Sequence, residues 1–417
     1  MCIKNIEVNN FKSFRNIDLE LGNFNIFIGS NASGKSNFIR IFEFLRDIAV
    51  SGLDNAISIQ GGVEYLRNIS IGVNKELSVK VLFEHSKKTG FGSEIGSDLI
   101  GIKVDNSIYE FVLKLKELDF EIIKDTLTQY IDFFKLEKYK KQIKEKEKIG
   151  SGKMIFYQEK GKMKVKLTKS KEVNFNKTNR FPLGLVKSIG LPPGTIIVEH
   201  PFFRLLEPEE MLSKIAIYDF DPKLPKKATS ITGKSDLEED GSNLSIVLKN
   251  LISNDEKRRK YMNLVKDLLP FVTDLNVEKF ADKSLLFTLR EVYSKEHYLP
   301  ASLISDGTIN ITALIIALYF EKNKLTIIEE PERNIHPHLI SKLVNMMKDA
   351  SSDKQIIVTT HNPEIIKHAD LKDIFLVSRD KDGFSTISKP SEKKEIKIFL
   401  ENEMGIDELY VQNLLEI

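Results

Sequence analysis

NIFIGSNASGKS, residues 25–36, joins a short apolar run to a glycine-rich loop. The apolar part predicts a buried strand, and the loop GSNASGKS fits the pattern G-x-x-x-x-G-K-[ST] without gaps. Apolar side chains then recur at the spacing of one helix face, namely Phe38, Ile41, Phe42 and Leu45. Strand, glycine loop and helix follow one another in the order that a nucleotide-binding loop requires. The alternative is a strand-to-helix turn that matches by chance.

Each part of this loop has a physical reason to hold phosphate. Gly29 and Gly34 permit backbone conformations and close approaches that a Cβ atom would block. The turned backbone directs N–H groups inward, and the following helix adds its positive end. Lys35 can reach the β and γ phosphates, and Ser36 offers a hydroxyl to Mg²⁺. We therefore expect the ATP phosphates to be bound by Gly29, Ser30, Asn31, Ala32, Ser33, Gly34, Lys35, Ser36 and Asn37.

A second motif, LTIIEEPE at residues 325–332, places two carboxylates at the end of an apolar strand. Phosphoryl transfer to water needs a positioned Mg²⁺ and an oriented water molecule. Neighbouring side chains on a strand point to opposite faces. We therefore assign Glu329 to the metal and Glu330 to the role of general base. The alternative is an acidic strand exit on a solvated face.

Two further motifs carry polar groups that suit phosphate chemistry. In TTHNP, residues 359–363, His361 follows an apolar strand and can hydrogen bond the γ-phosphate or the attacking water, although a single histidine there is usually structural. In LISDGT, Ser305 and Asp306 are good helix caps, and the same geometry makes a second phosphate receptor.

His336 and His338 have side chains that can bind a metal, but Pro337 favours a helix start, and we expect no zinc.

Composition narrows the possible classes of protein. The chain has 417 residues, of which 41% are hydrophobic and 29% charged, with a formal net charge of +2, so a nucleic-acid surface must be local. One cysteine excludes a disulfide framework and favours the cytoplasm. The longest apolar stretch, residues 311–320, is too short to span a bilayer. We expect no membrane association.

Residues 135–171 contain 14 lysines and 4 glutamates. This composition predicts a short helix at 135–148 and a hairpin around Gly161. The lysines either form a solvated surface, which the frequency of such runs favours, or bind a nucleic-acid backbone.

Hydrophobic periodicity predicts the remaining elements. Alternation indicates strands at 3–8, 17–21, 77–84, 107–116, 324–329, 355–359, 374–378 and 384–387. Helical spacing indicates helices at 243–252, 256–268, 307–321 and 337–349. Asp382 and Gly383 predict a tight turn, which is a better interpretation of Asp380 and Asp382 than a metal site. Residues 182–240, with seven prolines, are predicted to be irregular.

Taken in order, GSNASGKS, LISDGT, TIIEEPE and TTHNP resemble the motifs of ABC-type ATPase heads of the RecF, SMC and OLD-like branch. The opening IKNIEVNNFKSFRNIDLELGNFNIFIGSNASGKSNF is similar to the start of those proteins, and YDFDP and LEEDGSNLSIVLKNL resemble stand-alone AAA family ATPases of bacteria and archaea. The resemblance implies an α/β P-loop NTPase, a bilobed ABC-type head with an antiparallel β subdomain and a helical lobe. The expected divisions are 1–118 with the P-loop, 119–235 as an inserted lobe, and 236–417 with the other motifs.

In that family two heads enclose two ATP molecules. The resemblance therefore implies a signature that faces the nucleotide of a second subunit, made of Ser305, Asp306, Gly307 and Thr308. His361 matches the switch histidine, Asn334 lies in the loop that crosses the dimer interface, and Gln60 belongs to a loop that senses Mg²⁺. The residues that the resemblance places near adenine are Lys12, Ser13, Phe14 and Arg15.

Four features depart from the family pattern. Glu329 stands where many relatives have aspartate, and SDGT replaces the SGGQ of transporters. No long heptad coiled coil separates the two halves, and the residues after His361 are too few for a nuclease domain.

We therefore expect a Mg²⁺-dependent ATPase whose heads dimerise on ATP, in DNA repair or anti-phage defence. The alternative is a regulatory or scaffold ATPase that gates a separate nuclease or toxin. An energising subunit of a transporter is a third possibility. Expected partners are ATP, a second copy of the chain, DNA and an effector protein.

Overall fold

A computed structural model describes residues 1–85, 90–95, 98–139, 142–159, 161–170, 190–200, 207–281, 283–294, 296–401 and 404–416. The chain divides into two compact units, each built from segments that are distant in sequence. The parallel-sheet unit comprises Gly22–Lys35, Ile215–Ser378 and Ile387–Ile417. The antiparallel-sheet unit comprises Met1–Leu21, Ser36–Lys214 and Arg379–Thr386. Across these ranges, no helix has the length and apolar character needed to cross a bilayer.

The strands are β1 Cys2–Phe11, β2 Phe14–Glu20, β3 Phe24–Ile28, β4 Leu77–Glu84, β5 Gly90–Ile95, β6 Asp98–Leu115, β7 Phe120–Tyr139, β8 Gln142–Glu159, β9 Lys162–Lys169, β10 Ile215–Tyr218, β11 Thr229–Ser230, β12 Val272–Phe280, β13 Ser284–Glu291, β14 Leu299–Pro300, β15 Leu325–Glu329, β16 Gln355–Thr360, β17 Ile374–Arg379 and β18 Ser385–Ser388. The α-helices are α1 Lys35–Ser51, α2 Leu53–Ile59, α3 Val63–Leu66, α4 Glu207–Ser213, α5 Leu244–Ile252, α6 Asp255–Leu268, α7 Asp306–Tyr319, α8 Ile340–Ala350, α9 Pro363–Lys367, α10 Lys394–Glu401 and α11 Ile406–Val411. Short 3-10 helices lie at Gly72–Asn74, Ile197–Glu199, Ala301–Leu303, Pro337–Leu339, Leu371–Asp373, Pro390–Glu392 and Leu414–Glu416.

A parallel sheet with the order β10-β15-β16-β3-β17 forms the centre of the parallel-sheet unit. All residues of β3 and β16 are buried, as expected for strands that are covered on both faces. The helix α7 is buried along nearly its whole length and packs in the same core as α8. Because all five strands run in one direction, their carboxyl ends meet at one edge of the sheet.

The same unit contains a small antiparallel sheet, β11-β13-β12 with β14 on β13, which contacts α5 and α6. A polar network holds this region together around the carboxylate of Asp274. Arg258 donates to both of its oxygens, at 2.9 and 3.1 Å, and the Tyr298 hydroxyl donates at 2.7 Å. Tyr298 lies just before β14, so the network anchors the chain that leads into α7.

An antiparallel sheet with the order β2-β1-β4-β6-β7-β8-β9 forms the antiparallel-sheet unit, and β5 pairs with β6. The helix α1 packs on it through Phe44, whose ring lies 5.9 Å from that of Phe11 and 6.4 Å from that of Phe111. Strands β6, β7 and β8 are unusually long, at 18, 20 and 18 residues.

The helix predicted at 135–148 is wrong, because the described residues of this segment belong to β7 and β8. Lysine and glutamate favour a helix by local propensity, whereas pairing with distant strands decides the structure here. The predicted hairpin around Gly161 is confirmed, with β8 and β9 paired and Gly161 at a φ of 70°. The segment 182–240, predicted to be irregular, contains α4 and β10; its residues 182–189 and 201–206 lie outside the described residues.

The other predicted strands and helices are confirmed within a few residues at their ends, although β6 begins much earlier than predicted. The tight turn at Asp382 and Gly383 is also confirmed. The Asp380 N–H donates to Phe384 O at 2.8 Å, and Gly383 adopts a φ of 84°. The Asp380 carboxylate accepts from backbone N–H groups of the same turn, which fits the predicted hairpin role.

Candidate nucleotide-binding and hydrolysis site

The glycine-rich loop lies between the end of β3 and the start of α1. Ala32 and Gly34 adopt positive φ angles of 61° and 121°, which turn the backbone back on itself. A Cβ on Gly29 would lie 2.3 Å from the Val377 carbonyl oxygen and 2.8 Å from the Ser33 hydroxyl. Only glycine fits at position 29, as the close-approach argument predicted.

Lys35 folds over this loop. Its ammonium donates to the carbonyl oxygens of Gly29, at 2.7 Å, and Ser30, at 3.0 Å. Burial lowers the pKa of Lys35, and the charges of Glu330 and Glu329 partly offset that effect. The lysine is therefore held close to the place that a phosphate would occupy and within the field of both predicted carboxylates.

Sheet register brings the loop, the carboxylates and the histidine to one edge. In the parallel pairing of β15 with β16, Glu329 lies opposite Thr359, and in that of β16 with β3, Thr360 lies opposite Ile28. Each motif begins where one of these neighbouring strands ends, which is where ligands bind in open α/β sheets. Residues distant in sequence therefore converge through strand order alone.

The two predicted catalytic residues are in direct contact. His361 Nδ1 lies 2.7 Å from Glu330 Oε1. Glu330 is not on the strand, because β15 ends at Glu329 and Glu330 has a φ of 44°. The expectation that strand alternation separates the two carboxylates is therefore wrong, and a turn separates them instead. The Glu330 N–H donates to Thr359 O at 2.9 Å and fixes this turn.

Arginine 333, which the sequence analysis did not single out, contacts the other oxygen of the same carboxylate. Arg333 Nη2 lies 3.3 Å from Glu330 Oε2, and Arg333 Nη1 lies 2.8 Å from Asp219 Oδ1. Asp219 belongs to YDFDP, at the exit of β10, which is the neighbour of β15. One guanidinium thus bridges two carboxylates, and these charges raise the pKa of Arg333 against the lowering effect of its burial.

A buried carboxyl group supports the histidine segment. Thr360 and Glu332 are joined by a hydrogen bond between Thr360 Oγ1 and Glu332 Oε1 of 2.5 Å. The Asn362 N–H donates to Thr360 Oγ1 at 2.9 Å. Burial raises the pKa of Glu332, which favours its neutral form. This chain of contacts fixes the backbone on both sides of His361.

The predicted signature lies at the start of α7. Ser305 caps the helix by accepting from Thr308 N–H at 3.2 Å, as its role as a cap predicted. The carboxylate of Asp306 forms an ion pair of 2.5 Å with Lys226. A Cβ on Gly307 would lie 2.3 Å from the Asn334 carbonyl oxygen, so this start of the helix touches the loop after the carboxylates.

A cavity of about 360 Å³ in the antiparallel-sheet unit contains part of the segment predicted to lie near adenine. Lys12 and Ser13 line it. Phe14 is fully buried. The Arg15 guanidinium lies 4.0 Å from the centre of the Phe384 ring. Among the other lining residues, Asn37 donates to Ser13 Oγ at 2.9 Å, so its side chain faces this cavity.

The remaining predicted residues have less distinctive surroundings. Gln60 is buried at the end of α2, and its side-chain amide has no hydrogen-bond partner among the described residues. His336 and His338 lie with their Nδ1 atoms 2.7 Å apart, and Pro337 opens a 3-10 helix between them, as the predicted helix start requires. In the described ranges, no group of three or more His, Cys, Asp or Glu side chains is arranged to hold a metal.

Among the residues that sequence reasoning missed, Arg333 and Lys226 contact the predicted residues Glu330 and Asp306. Asp219 contacts Arg333, and Arg67 lines the cavity. The ion pairs of Asp219 and Lys226 join segments that are distant in sequence. The only signal was YDFDP, which contributed to the family resemblance without a role.

The profile of the family described as "AAA domain, putative AbiEii toxin, Type IV TA system" matches residues 24–367. The chain belongs to this family. It is a nucleotide-binding ATPase, and its mixed α/β fold around a parallel sheet is as predicted. No curated protein matches it in sequence.

Solved SMC heads resemble this family member at low identity. The SmcHead bound to the C-winged helix domain of ScpA is 13% identical, with 93% of this chain and 97% of that chain covered and a TM-score of 0.48. The SMC head domain from Thermotoga maritima is 14% identical, with coverage of 93% and 99% and a TM-score of 0.39. The Smc head domain from Pyrococcus furiosus, bound to the C-terminal domain of ScpA, is 13% identical, with coverage of 96% and 99% and a TM-score of 0.47.

Proposed function

We propose that this chain is a Mg²⁺-dependent ATPase in which Glu330 activates the attacking water and His361 orients Glu330. The observation that carries this proposal is the 2.7 Å contact between His361 Nδ1 and Glu330 Oε1. It lies at the sheet edge where the phosphate loop begins, and both Glu329 and Glu330 act electrostatically on Lys35. A base, an orienting partner and a phosphate-binding cation are the parts that phosphoryl transfer to water requires.

In the proposed reaction, the water oxygen bonds to the γ-phosphorus while the bond from phosphorus to the β–γ bridging oxygen breaks. The bridging oxygen keeps the electron pair and leaves as part of ADP. Glu330 takes one proton from the water and later returns it to phosphate or solvent. Lys35 and the loop N–H groups of residues 29–37 balance the charge on the phosphates.

The available donors suit Mg²⁺, because the Ser36 hydroxyl and the Glu329 carboxylate are hard oxygen ligands. We propose that these two residues hold the ion, with Gln60 as a further contact. Mg²⁺ usually takes few protein ligands and completes its shell with phosphate oxygens and water. When bound it would neutralise charge on the β and γ phosphates. We also propose that adenine contacts Lys12–Arg15, where the cavity offers room.

The direct test is Glu330→Gln, which removes the base and keeps the shape. We expect turnover to fall by about 10²- to 10⁴-fold while ATP binding persists, because general-base catalysis contributes a factor of that order. Glu364→Gln, at an exposed carboxylate on α9, is the matched control and should leave turnover within about twofold. A Glu330→Gln enzyme with normal turnover would exclude the proposed base.

We propose further that ATP joins two heads, with the signature Ser305–Thr308 of one facing the phosphates held by the other. The support is the start of α7, where the exposed Ser305 hydroxyl and the N–H groups of the first turn suit an anion. With ATP, the Glu330→Gln protein should sediment as a dimer, because hydrolysis no longer opens it. If it stays monomeric at saturating ATP, the two-head arrangement fails and the ATPase assignment stands.

We propose a cytoplasmic role in DNA repair or anti-phage defence, with DNA as the first partner to test. Lysines on β8 and β9 offer cationic side chains, although several are paired with carboxylates, such as Lys164 with Glu159. Hydrolysis should be measured with and without DNA ends at matched salt. Stimulation that weakens steeply with salt would support a direct role on DNA, and its absence would favour the alternative below.

The second candidate is a regulatory ATPase that gates a separate effector. The family description links this domain to a type IV toxin–antitoxin system, in which one gene product controls another, and this link is the reason to test it. An adjacent nuclease or toxin gene, followed by co-purification of the two products in an ATP-dependent manner, would support this candidate. A chain that restores growth after DNA damage without any neighbouring gene would argue against it.

A further inference from the structure

The carboxylate of Glu330 is held from two sides. Oε1 is 2.7 Å from His361 Nδ1, and Oε2 is 3.3 Å from Arg333 Nη2. The second contact is the longer one, and the same guanidinium makes a shorter contact of 2.8 Å to Asp219. Arg333 therefore divides its positive charge between the proposed base and a second, more exposed carboxylate.

The backbone of Arg333 is fixed, while its side chain is partly exposed. Its N–H donates to Glu330 O at 3.0 Å, and its carbonyl oxygen accepts from Asn310 Nδ2 at 2.7 Å. Asn310 lies on α7, one turn after the signature, and Gly307 packs against Asn334 O beside it. The Arg333 side chain can therefore give up its longer contact with Glu330 and keep its contact with Asp219 by rotation, without movement of the main chain.

We propose that Arg333 is a positioning residue that restrains Glu330 in the resting head, and that Asp219 is the acceptor that keeps the guanidinium when Glu330 acts as a base. The inference rests on the proposed function, because it assigns a partner to the proposed base. While the guanidinium donates to Oε2, it stabilises the carboxylate and makes Glu330 a weaker base. Loss of this contact, with the contact to Asp219 kept, removes that stabilisation.

The location of Arg333 links this exchange to the signature. Arg333 and Asn334 contact the first turn of α7 through Asn310 and Gly307. A ligand at the start of α7 would therefore shift the loop that contains Arg333 and Asn334. Asp306, in the same turn, is paired with Lys226 from the segment that begins at Asp219. Both ends of residues 219–226 thus form ion pairs, one with Arg333, which contacts the base, and one with Asp306 of the signature.

The test compares two substitutions with opposite expected effects on the ATPase rate of the full chain. Arg333→Gln removes the restraint, so kcat should rise by about two- to fivefold, the factor expected for losing a partly exposed ion pair. Asp219→Asn removes the negative charge of the competing acceptor, so kcat should fall by a similar factor. KM for ATP should stay within about twofold in both, because neither side chain contacts the phosphate loop. Arg333→Lys keeps the charge but lacks the planar, forked donor group of the guanidinium. Its kcat should lie between those of the wild type and Arg333→Gln.

A purely structural role could not raise kcat, so the opposite signs are decisive. Arg258→Gln is the matched control, since Arg258 also pairs with a carboxylate in the same unit, and it should alter stability without raising kcat. A fall in kcat for Arg333→Gln, or a change in the same direction for both variants, overturns the proposal. If Arg333→Gln does not fold, an unchanged or raised kcat for Asp219→Asn overturns it. An inactive wild type, or an active Glu330→Gln, refutes the proposed function instead.

Discussion

The carboxyl edge of the parallel sheet and the long strands β6–β9 of the antiparallel sheet are built in opposite ways. At the edge, strands of five or six residues end together, and each functional side chain follows a strand within a few positions. In β6–β9, strands of up to 20 residues run side by side, and charged side chains pair across them, as Lys124 does with Glu110. Short motifs therefore specify the first region, whereas distant pairing specifies the second.

Lys35→Ala should have the largest effect at the edge of the parallel sheet, because it removes a cation that folds over the phosphate loop. We expect ATP turnover to fall by on the order of 10²- to 10³-fold, as for other preorganised groups that stabilise phosphate charge. Steady-state phosphate release measures the effect. Lys342→Ala, on an exposed face of α8, is the control and should retain normal turnover.

If Lys35→Ala retains turnover, the edge of the parallel sheet is not the site of hydrolysis. Calorimetry with MgATP would then separate a loop that does not bind from one that binds without catalysis.

The same contrast explains what the sequence could predict. The phosphate loop, the pair of carboxylates at the end of β15 and the helix cap at Ser305 were predictable, because each needs particular residue types within eight positions. The Glu330 turn was not, since alternation assumes that the strand continues. Arg333 and Asp219 escaped notice because 114 residues separate them and only strand order brings them together. The long strands were misjudged for a related reason, because lysine-rich segments carry a local preference for helix that non-local pairing overrides.

A buried carboxyl group allows the antiparallel region to be probed by pH. Asp125 on β7 accepts from the Tyr109 hydroxyl at 3.1 Å and from Ile197 N–H at 2.6 Å. Burial raises its pKa to about 7 from an ordinary value of 3.8. The folded state therefore keeps a proton that the unfolded state has already lost, and this contribution to stability disappears as pH rises from about 4 to 7.

We expect the free energy of unfolding to fall by about 1 kcal/mol per unit between pH 5 and 7 from this group alone. Asp125→Asn should flatten that slope, because its amide carries no charge at either pH. Urea unfolding at pH 5, 6 and 7 measures the slope for both proteins. An unchanged slope in the variant would show that Asp125 does not titrate in this range.

Two glycines of the long strands provide a finer test of how tightly this region is packed. A Cβ on Gly152 would lie 2.7 Å from the Thr168 carbonyl oxygen, whereas one on Gly101 would meet only the Leu136 side chain, at 2.9 Å. A flexible side chain can move aside, but a strand backbone cannot without loss of pairing.

Gly152→Ala should therefore cost about 1–3 kcal/mol of stability, and Gly101→Ala should cost clearly less. The intrinsic preference of a strand for alanine over glycine offsets part of both costs. Thermal or urea unfolding of the two variants gives the comparison. Equal losses of stability in the two variants would mean that the strand backbone beside Gly152 moves as readily as the Leu136 side chain does. The long strands would then not be rigidly paired.

The smallest effect should come from the lysines on the outer face of β9. Lys162, Lys164 and Lys166 are exposed and alternate with inward side chains. Replacing all three by serine should change ATP turnover in the absence of DNA by less than about twofold, since exposed charges contribute little to stability.

If these lysines contact a nucleic-acid backbone, the same variant should weaken DNA binding and flatten its salt dependence by about 0.9 in the log–log slope for each lost contact. A filter-binding series in salt separates the two interpretations, because a solvated face predicts identical slopes for wild type and variant, whereas a DNA-binding face predicts a shallower slope for the variant alone.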